Sequence, residues 1–137
     1  MLKSLILSCL LLLISSTLIS CVSGEGSTDG YMNISVENAY NELSESSGLD
    51  KKFMFLDVRT RMEFEDGHIP DAVNIPIQTL ANRLNEIPKD KKLFVYCESG
   101  VRSTNASKYL ADAGYTKVVN VKASMGGWRG AGYPIEK

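Results

Sequence analysis

One cysteine of this sequence stands where its thiol could do chemistry. Cys97 follows an apolar run, residues 93–96, that is typical of a buried strand, and it precedes a segment with helical spacing. At such a turn, backbone N–H groups can point at the sulfur, and the helix N-terminus adds partial positive charge. Both effects favour the thiolate, so the position suits a nucleophile. The alternative is a buried, inert cysteine before a helix cap.

The loop after Cys97 carries further groups that could serve such a nucleophile. Gly100 allows the chain to curl tightly around the sulfur, and Arg102 and Ser103 offer donors to an anionic ligand or to the loop itself. Ser103 could equally cap the following helix. The loop residues expected to bind substrate or support the site are Glu98, Ser99, Gly100, Val101, Arg102 and Ser103.

The N-terminal segment predicts export. After Lys3, residues 5–19 form an apolar run that is too short to span a membrane, which needs about 20 apolar residues, but is typical of a signal peptide. An uncleaved signal anchor is the less favoured alternative. The tetrapeptide LISC at residues 18–21 resembles a prokaryotic lipobox, in which the cysteine is lipidated and becomes the mature N-terminus. We therefore expect residues 1–20 to be a lipoprotein signal peptide.

Lipid on Cys21 would anchor the protein at the periplasmic or extracellular face of a prokaryotic membrane without a spanning helix. Of the three cysteines, only Cys97 would then keep a free thiol. Residues 21–30 predict the lipidated cysteine and a flexible tether, and residues 31–137 the folded domain.

Composition limits the classes of function. Hydrophobic residues make up 44% and charged residues 23% of the chain, which is typical of a globular rather than a disordered protein. Cleavage after residue 20 removes only Lys3 and shifts the net charge from −1 to −2. Because no basic stripe is present, nucleic acid is not expected as a partner.

The domain alternates apolar runs with helical patterns, which predicts an α/β fold built on a parallel sheet. The predicted strands are residues 53–58, 72–75, 93–96 and 118–121, and the predicted helices are residues 35–43, 61–64, 79–87 and 103–113. The last helix is expected to turn Ala106, Tyr109, Leu110 and Ala113 inward. Asp57 lies near a strand's carboxyl end, where open α/β sheets place their sites, so Asp57 and Arg59 are expected to fix the geometry near Cys97.

Three segments resemble the signatures of the rhodanese family. Residues 57–76, DVRTRMEFEDGHIPDAVNIP, are similar to its first signature, and the pattern CxxGxRS at residues 97–103 is similar to its active-site loop. Residues 125–134, from MGGW to GYP, are similar to its C-terminal signature. The resemblance covers residues 31–137, with the three motifs in the family's order.

The resemblance implies a five-stranded parallel sheet flanked by helices on both faces, with no metal or organic cofactor. It also implies a sulfurtransferase. The Cys97 thiolate would take a sulfane sulfur from thiosulfate or a persulfide and would pass it to a thiol, cyanide or a protein acceptor. The family uses the histidine at His68 to organise a loop, and Trp128 is expected in the core near the active-site mouth.

One residue departs from the family pattern. Many members have Arg or Lys directly after the catalytic cysteine, whereas this chain has Glu98. A carboxylate there is expected to repel anionic thiosulfate and to oppose the thiolate.

Two other functions remain as alternatives. The first is a membrane-tethered persulfide carrier or sensing module with little turnover alone. The second, a phosphatase or arsenate reductase, is disfavoured because four residues separate Cys97 from Arg102. Cysteine phosphatases of this fold use a longer loop to surround their oxyanion.

Overall fold

The computed structural model describes residues 25–46 and 51–137. The predicted signal peptide and the lipidation site at Cys21 lie outside the described residues. Within the two described ranges, no helix is both long enough and apolar enough to cross a bilayer.

The fold is a single mixed sheet covered by helices. Its strands are β1 (Glu25–Gly26), β2 (Met32–Ile34), β3 (Phe53–Asp57), β4 (Val73–Asn74), β5 (Lys92–Tyr96) and β6 (Val118–Val121). They lie in the order β1-β2-β6-β5-β3-β4. Among these six strands only β1 pairs antiparallel, so strands β2 to β6 form the expected five-stranded parallel sheet. The predicted fold class is confirmed.

Alternation along β5 explains why helices are needed on both faces of the sheet. Leu93, Val95 and Cys97 belong to one hydrophobic cluster, and Phe94 and Tyr96 belong to the other. Successive strand residues point to opposite faces, so a central strand with apolar residues throughout must be covered twice.

Among the residues that the structure describes, four α-helices flank the sheet or its ends: α1 (Val36–Glu45), α2 (Arg61–Glu65), α3 (Val101–Asp112) and α4 (Ser124–Gly130). Helix α3 contributes Ala106 and Leu110 to the cluster that contains Cys97. Helices α1 and α4 cover the opposite face. The side chain of Ser35 caps α1 by accepting the N–H of Asn38 at 3.1 Å.

The predicted helix over residues 79–87 is wrong. The segment forms two 3-10 turns, Leu80–Asn82 and Leu84–Glu86. A continuous helix would need an N–H donor to the carbonyl of Leu84 four residues later, where Pro88 has none. That carbonyl accepts instead the Ile87 N–H of the 3-10 turn at 3.1 Å and the hydroxyl of Tyr115 at 2.8 Å.

The inward face of α3 also differs from the expected one. Tyr109 is 41% exposed, so its predicted burial is wrong. The buried stripe consists of Ser103, Ala106, Ser107 and Leu110. Two of these residues are serines, and their polarity hid the true helical face in the sequence.

Residues 25–30 differ from the expected tether. Glu25 pairs with Asn33, and Gly26 pairs with Met32. The Ser27 N–H and hydroxyl both donate to the Tyr31 carbonyl, at 3.1 and 3.0 Å. Backbone pairing needs no apolar side chains, which is why this polar segment can form an ordered turn and edge strand.

Candidate active site

The cysteine loop connects β5 to α3 at the carboxyl edge of the sheet, which is the edge where the parallel strands end. Gly100 adopts φ +101°, a left-handed conformation that L side chains rarely adopt, and the chain turns there into α3. This turn brings the Gly100 N–H to 3.1 Å from the Cys97 sulfur, to which it donates. Cys97 is fully buried, and it is the free cysteine of the described residues.

The surroundings of Cys97 favour its thiolate. Burial alone would raise the pKa of the thiol, but donors outweigh that effect. The backbone and hydroxyl of Ser103, the N–H of Gly100 and the hydroxyl of Ser124 together hold the pKa of Cys97 below the ordinary value for cysteine. The sequence favoured this reactive state over an inert cysteine, and the arrangement of donors supports that preference.

Helix α4 fixes the backbone of the cysteine loop. Its first N–H groups bind loop carbonyls, from Met125 to Cys97 at 3.0 Å and from Gly126 to Glu98 at 2.9 Å. A Cβ at Gly126 would lie 3.2 Å from the Glu98 carbonyl oxygen, so glycine permits this close approach. The glycine-rich tail of the sequence therefore contains a helix, α4, that holds the cysteine loop in place.

Ser124 is a site residue that sequence reasoning missed. Its hydroxyl accepts the Cys97 N–H at 3.2 Å and lies 3.9 Å from the Cys97 sulfur. Ser124 has φ +47° and the preceding Ala123 has φ +59°, both unusual for residues with a Cβ. Such strain clusters at functional sites. No short-range signal marks this position, because the turn exists only through its contacts with the cysteine loop.

Arg102 pairs with a carboxylate of the neighbouring helix. Its two terminal nitrogens donate to Glu63 of α2 at 2.8 and 2.7 Å. The guanidinium and the Thr60 cap lower the pKa of Glu63 to about 2. The capping box Thr60-x-x-Glu63, readable in the sequence, predicts the start of α2 but not this partner.

We predict that Glu63→Gln lowers the free energy of unfolding by about 1 kcal/mol at pH 7, the upper range for a partly exposed ion pair. The folded-state pKa of about 2 lies below the ordinary value of 4.5. This contribution is therefore present above pH 4.5 and is lost as the pH falls towards 2. Urea unfolding at pH 7 and pH 3 measures the free energy of unfolding of the wild type and of Glu63→Gln. A difference between the two proteins that is the same at both pH values would contradict the pairing of Glu63 with Arg102.

Asp57 and Arg59 form a buried pair beside the loop. Arg59 is fully buried, and its Nε donates to the two carboxylate oxygens of Asp57 at 3.1 and 3.0 Å. A further nitrogen donates to the Gly67 carbonyl at 2.7 Å. Burial alone would lower the pKa of Arg59, but the hydrogen bonds and charge of Asp57 raise it. Arg59 thus joins the end of β3 to the next loop.

Glu98 is not an isolated negative charge. Its carboxylate accepts from Arg59 at 3.2 Å and from Arg129 of α4 at 2.6 Å. Ion pairs around the loop join the carboxylates of Asp57, Glu63 and Glu98 to the guanidinium groups of Arg59, Arg102 and Arg129. The two guanidinium groups that contact Glu98 offset its charge, so the expected repulsion of an anionic donor acts beside two paired cations. Sequence reasoning missed Arg129, whose approach depends on α4.

The remaining sequence-predicted residues have distinct positions. Ser99 and Val101 are exposed on the loop, and the Ser103 hydroxyl donates to the Gly100 carbonyl at 3.0 Å. His68 stacks on Phe64 with ring centroids 3.7 Å apart, which is consistent with a loop-organising role.

Trp128 is fully buried, and its ring nitrogen donates to the Pro134 carbonyl at 2.8 Å. Across the described ranges, no group of three or more His, Cys, Asp or Glu side chains could hold a metal ion.

Comparisons with known proteins show similarity to one domain family. Residues 36–131 match the family model of the rhodanese-like domain. A sulfurtransferase of Allochromatium vinosum is 38% identical over 93 residues, which cover 68% of this chain and 87% of that protein.

Two solved structures are also similar. The crystal structure of a rhodanese-related protein from Thermoplasma volcanium has a TM-score of 0.68 at 30% identity and covers 76% of this chain and 96% of that one. The crystal structure of a rhodanese-like domain protein from Staphylococcus aureus has a TM-score of 0.63 at 34% identity and covers 70% of this chain and 89% of that one.

Proposed function

The chain belongs to the rhodanese-like domain family, and we propose that it moves a sulfane sulfur between a donor and a thiophilic acceptor through a persulfide on Cys97. The observation that carries the proposal is the set of donors around the Cys97 sulfur, with the Gly100 N–H at 3.1 Å. The A. vinosum relative, named as a sulfurtransferase, supports the same class of chemistry. A thiolate held by preorganised N–H and hydroxyl donors suits repeated sulfur exchange.

The reaction has two displacements. In the first, the Cys97 thiolate attacks the outer sulfur of the donor, the new S–S bond forms, and the donor's own S–S bond breaks. Thiosulfate would release sulfite, and a persulfide would release a thiolate. In the second, an acceptor such as cyanide or a thiolate attacks the outer sulfur of the Cys97 persulfide. The Cys97 thiolate then leaves, ready for another cycle.

Burial of Cys97 supports a second candidate function, that of a persulfide carrier or sensing module. Because Cys97 has no exposed surface, neighbouring groups must move before a donor reaches its sulfur. This favours a persulfide carrier or sensing module that loads once and turns over poorly until a partner opens the site. Single-turnover and steady-state assays with cyanide, run with thiosulfate and with a persulfide donor, separate the two functions. An enzyme produces many equivalents of thiocyanate, and a carrier produces one.

We predict that Glu98→Gln improves the apparent affinity for thiosulfate about two- to fivefold, because a partly exposed charge contact is worth about 0.5 to 1 kcal/mol. The substitution removes one negative charge beside the loop and leaves the exposed Arg129 to attract the dianion, while the buried Arg59 stays paired with Asp57. Reaction with a persulfide donor, whose reacting group carries less negative charge than the thiosulfate dianion, serves as the control and should change less. Steady-state kinetics with both donors measure the effect, and equal changes for both would refute the electrostatic account.

We also propose that the protein is exported and anchored to a prokaryotic membrane surface by lipid on Cys21. The support is the lipobox-like tetrapeptide at residues 18–21 and the apolar segment before it. Cys21→Ala is expected to block lipidation, so that the variant stays unprocessed or becomes soluble. Detergent partitioning and the mass of the mature N-terminal peptide measure this. Wild-type protein that is cleaved at another residue and freely soluble would contradict the anchor.

A further inference from the structure

The direction of β1 determines from which edge of the sheet the N-terminal segment arrives. Because β1 pairs antiparallel with β2, Glu25 lies opposite Asn33 and Gly26 opposite Met32. Strand β2 runs parallel to β6 and ends at the carboxyl edge. The chain therefore enters β1 from the carboxyl edge and runs away from it.

Sheet register relates this entry point to the cysteine. Asn33 pairs with Asn120, and Asn120 pairs with Val95, so Glu25 lies in the same row as Val95. Cys97 is two residues beyond Val95, about 7 Å further towards the carboxyl edge. Strand β1 is three strands from β5, which is about 14 Å across the sheet.

The turn that follows β1 is held at the opposite, amino edge. Asp29 lies 3.6 Å from the Lys108 ammonium, in the second half of α3. A Cβ at Gly30 would be 3.3 Å from the Cβ of Ala111 on the same half. These two contacts with α3 are independent of the backbone pairing between β1 and β2, and they support the same direction for β1.

Only a short stretch separates this strand from the proposed anchor. Cys21 precedes Glu25 by four residues, which span at most about 14 Å even when fully extended. A lipid on Cys21 thus keeps the bilayer surface close to the start of β1. The domain lacks the long tether that would let it rotate freely.

The carboxyl edge also carries exposed apolar side chains. Val101, at the start of α3, is 69% exposed, and Met62 of α2 is 81% exposed. Each directly precedes a member of the Arg102–Glu63 pair, so the two lie on the same side of the site. Exposed apolar groups beside charged ones suit contact with the headgroup layer of a membrane.

From the direction of β1, the four-residue connection and the exposed residues, we propose that the anchored domain turns its carboxyl edge, with the Cys97 loop, towards the membrane surface. The inference rests on the proposed lipidation of Cys21. It identifies the bilayer as the surface that this edge faces. Cys97 would accordingly exchange sulfur with small molecules or membrane-bound partners more readily than with bulky soluble proteins.

Fluorescence quenching in vesicles tests this orientation. Lipidated protein carrying Cys97→Ser is reconstituted into vesicles of phosphatidylethanolamine and phosphatidylglycerol. A fluorophore is attached at V101C on the carboxyl edge or at D90C, which is exposed just before β5 on the amino edge. Headgroup spin-labelled lipid should quench the label at residue 101 severalfold more than the label at residue 90. Equal quenching, or stronger quenching at residue 90, would overturn the orientation.

A longer tether provides the control. Inserting about 20 Gly and Ser residues before Glu25, with an end-to-end distance of about 25 Å, should remove the difference between the two labels. A difference that persists unchanged would show that the tether does not set the orientation, which also overturns the proposal. If intact-mass spectrometry shows that Cys21 carries no lipid, both the proposed anchor and the proposed orientation are overturned. None of these readouts depends on sulfur transfer, so that proposal stands or fails separately.

Discussion

Cys97→Ser abolishes sulfur transfer and leaves the domain folded; this is the larger of the two principal effects that we expect. A serine hydroxyl cannot form a persulfide, and the donors around residue 97 stabilise a thiolate that would no longer exist. The fold should persist because the two side chains are nearly isosteric and no disulfide involves this cysteine. Steady-state assays with each donor measure the loss, and thermal unfolding measures the stability.

Two other outcomes are possible for Cys97→Ser. Turnover that survives in folded Cys97→Ser would mean that another group carries the sulfur. Loss of turnover together with a collapse of the melting transition would make the activity result uninformative. Cys97→Ala, which removes the side-chain polar atom and fills less space, then distinguishes a packing effect from a chemical one.

Arg59→Met is expected to cause the largest loss of stability, about 3 to 5 kcal/mol, because it leaves the carboxylate of Asp57 buried without its partner. Both side chains of this pair have no exposed surface. Arg59 also donates to the Gly67 carbonyl and to Glu98, so its removal loosens two loops at the carboxyl edge. A loss of this size is a large share of the stability of a small domain. Urea denaturation measures it.

Arg83→Met is the matched control for Arg59→Met. Arg83 also donates two hydrogen bonds to a carboxylate, that of Glu86, at 2.7 Å each. This second pair is exposed to solvent, so its loss should change stability little. Similar losses for both variants would contradict the argument that burial gives the Asp57–Arg59 pair its importance. The double variant Asp57→Asn with Arg59→Met should recover part of the loss, since no unpaired charge is then buried.

The parts of this fold that could be predicted from sequence are those with a local physical cause. Strand β5 was predicted to within one residue, because a continuous apolar run is typical of a strand buried on both faces. Strand β6 was predicted with its observed ends, because three of its four residues are valines, which favour strands. The position of Cys97 after β5 followed from the same apolar run that predicts β5, and the turn at Gly100 followed from the conformational freedom of glycine. These features are determined by residues that are neighbours in the sequence.

The parts that could not be predicted depend on distant contacts. Helix α4 contains three glycines in seven residues, so its local helix propensity is low, yet its N–H groups bind the cysteine loop. The two guanidinium partners of Glu98 come from residues 39 positions before it and 31 after it. A single sequence shows the charge of Glu98 but not the partners that balance it. The effect of Glu98 on thiosulfate therefore depends on those partners.

Sulfur loading of the protein itself is the most direct test of the central claim. Intact-mass spectrometry of wild-type protein, exposed to thiosulfate or to a persulfide donor, should show a gain of about 32 Da, one sulfur atom, that cyanide or dithiothreitol removes. Cys97→Ser, treated in parallel, should show no gain. An adduct that persists on Cys97→Ser, or no adduct on wild type with any donor, would contradict a persulfide on Cys97.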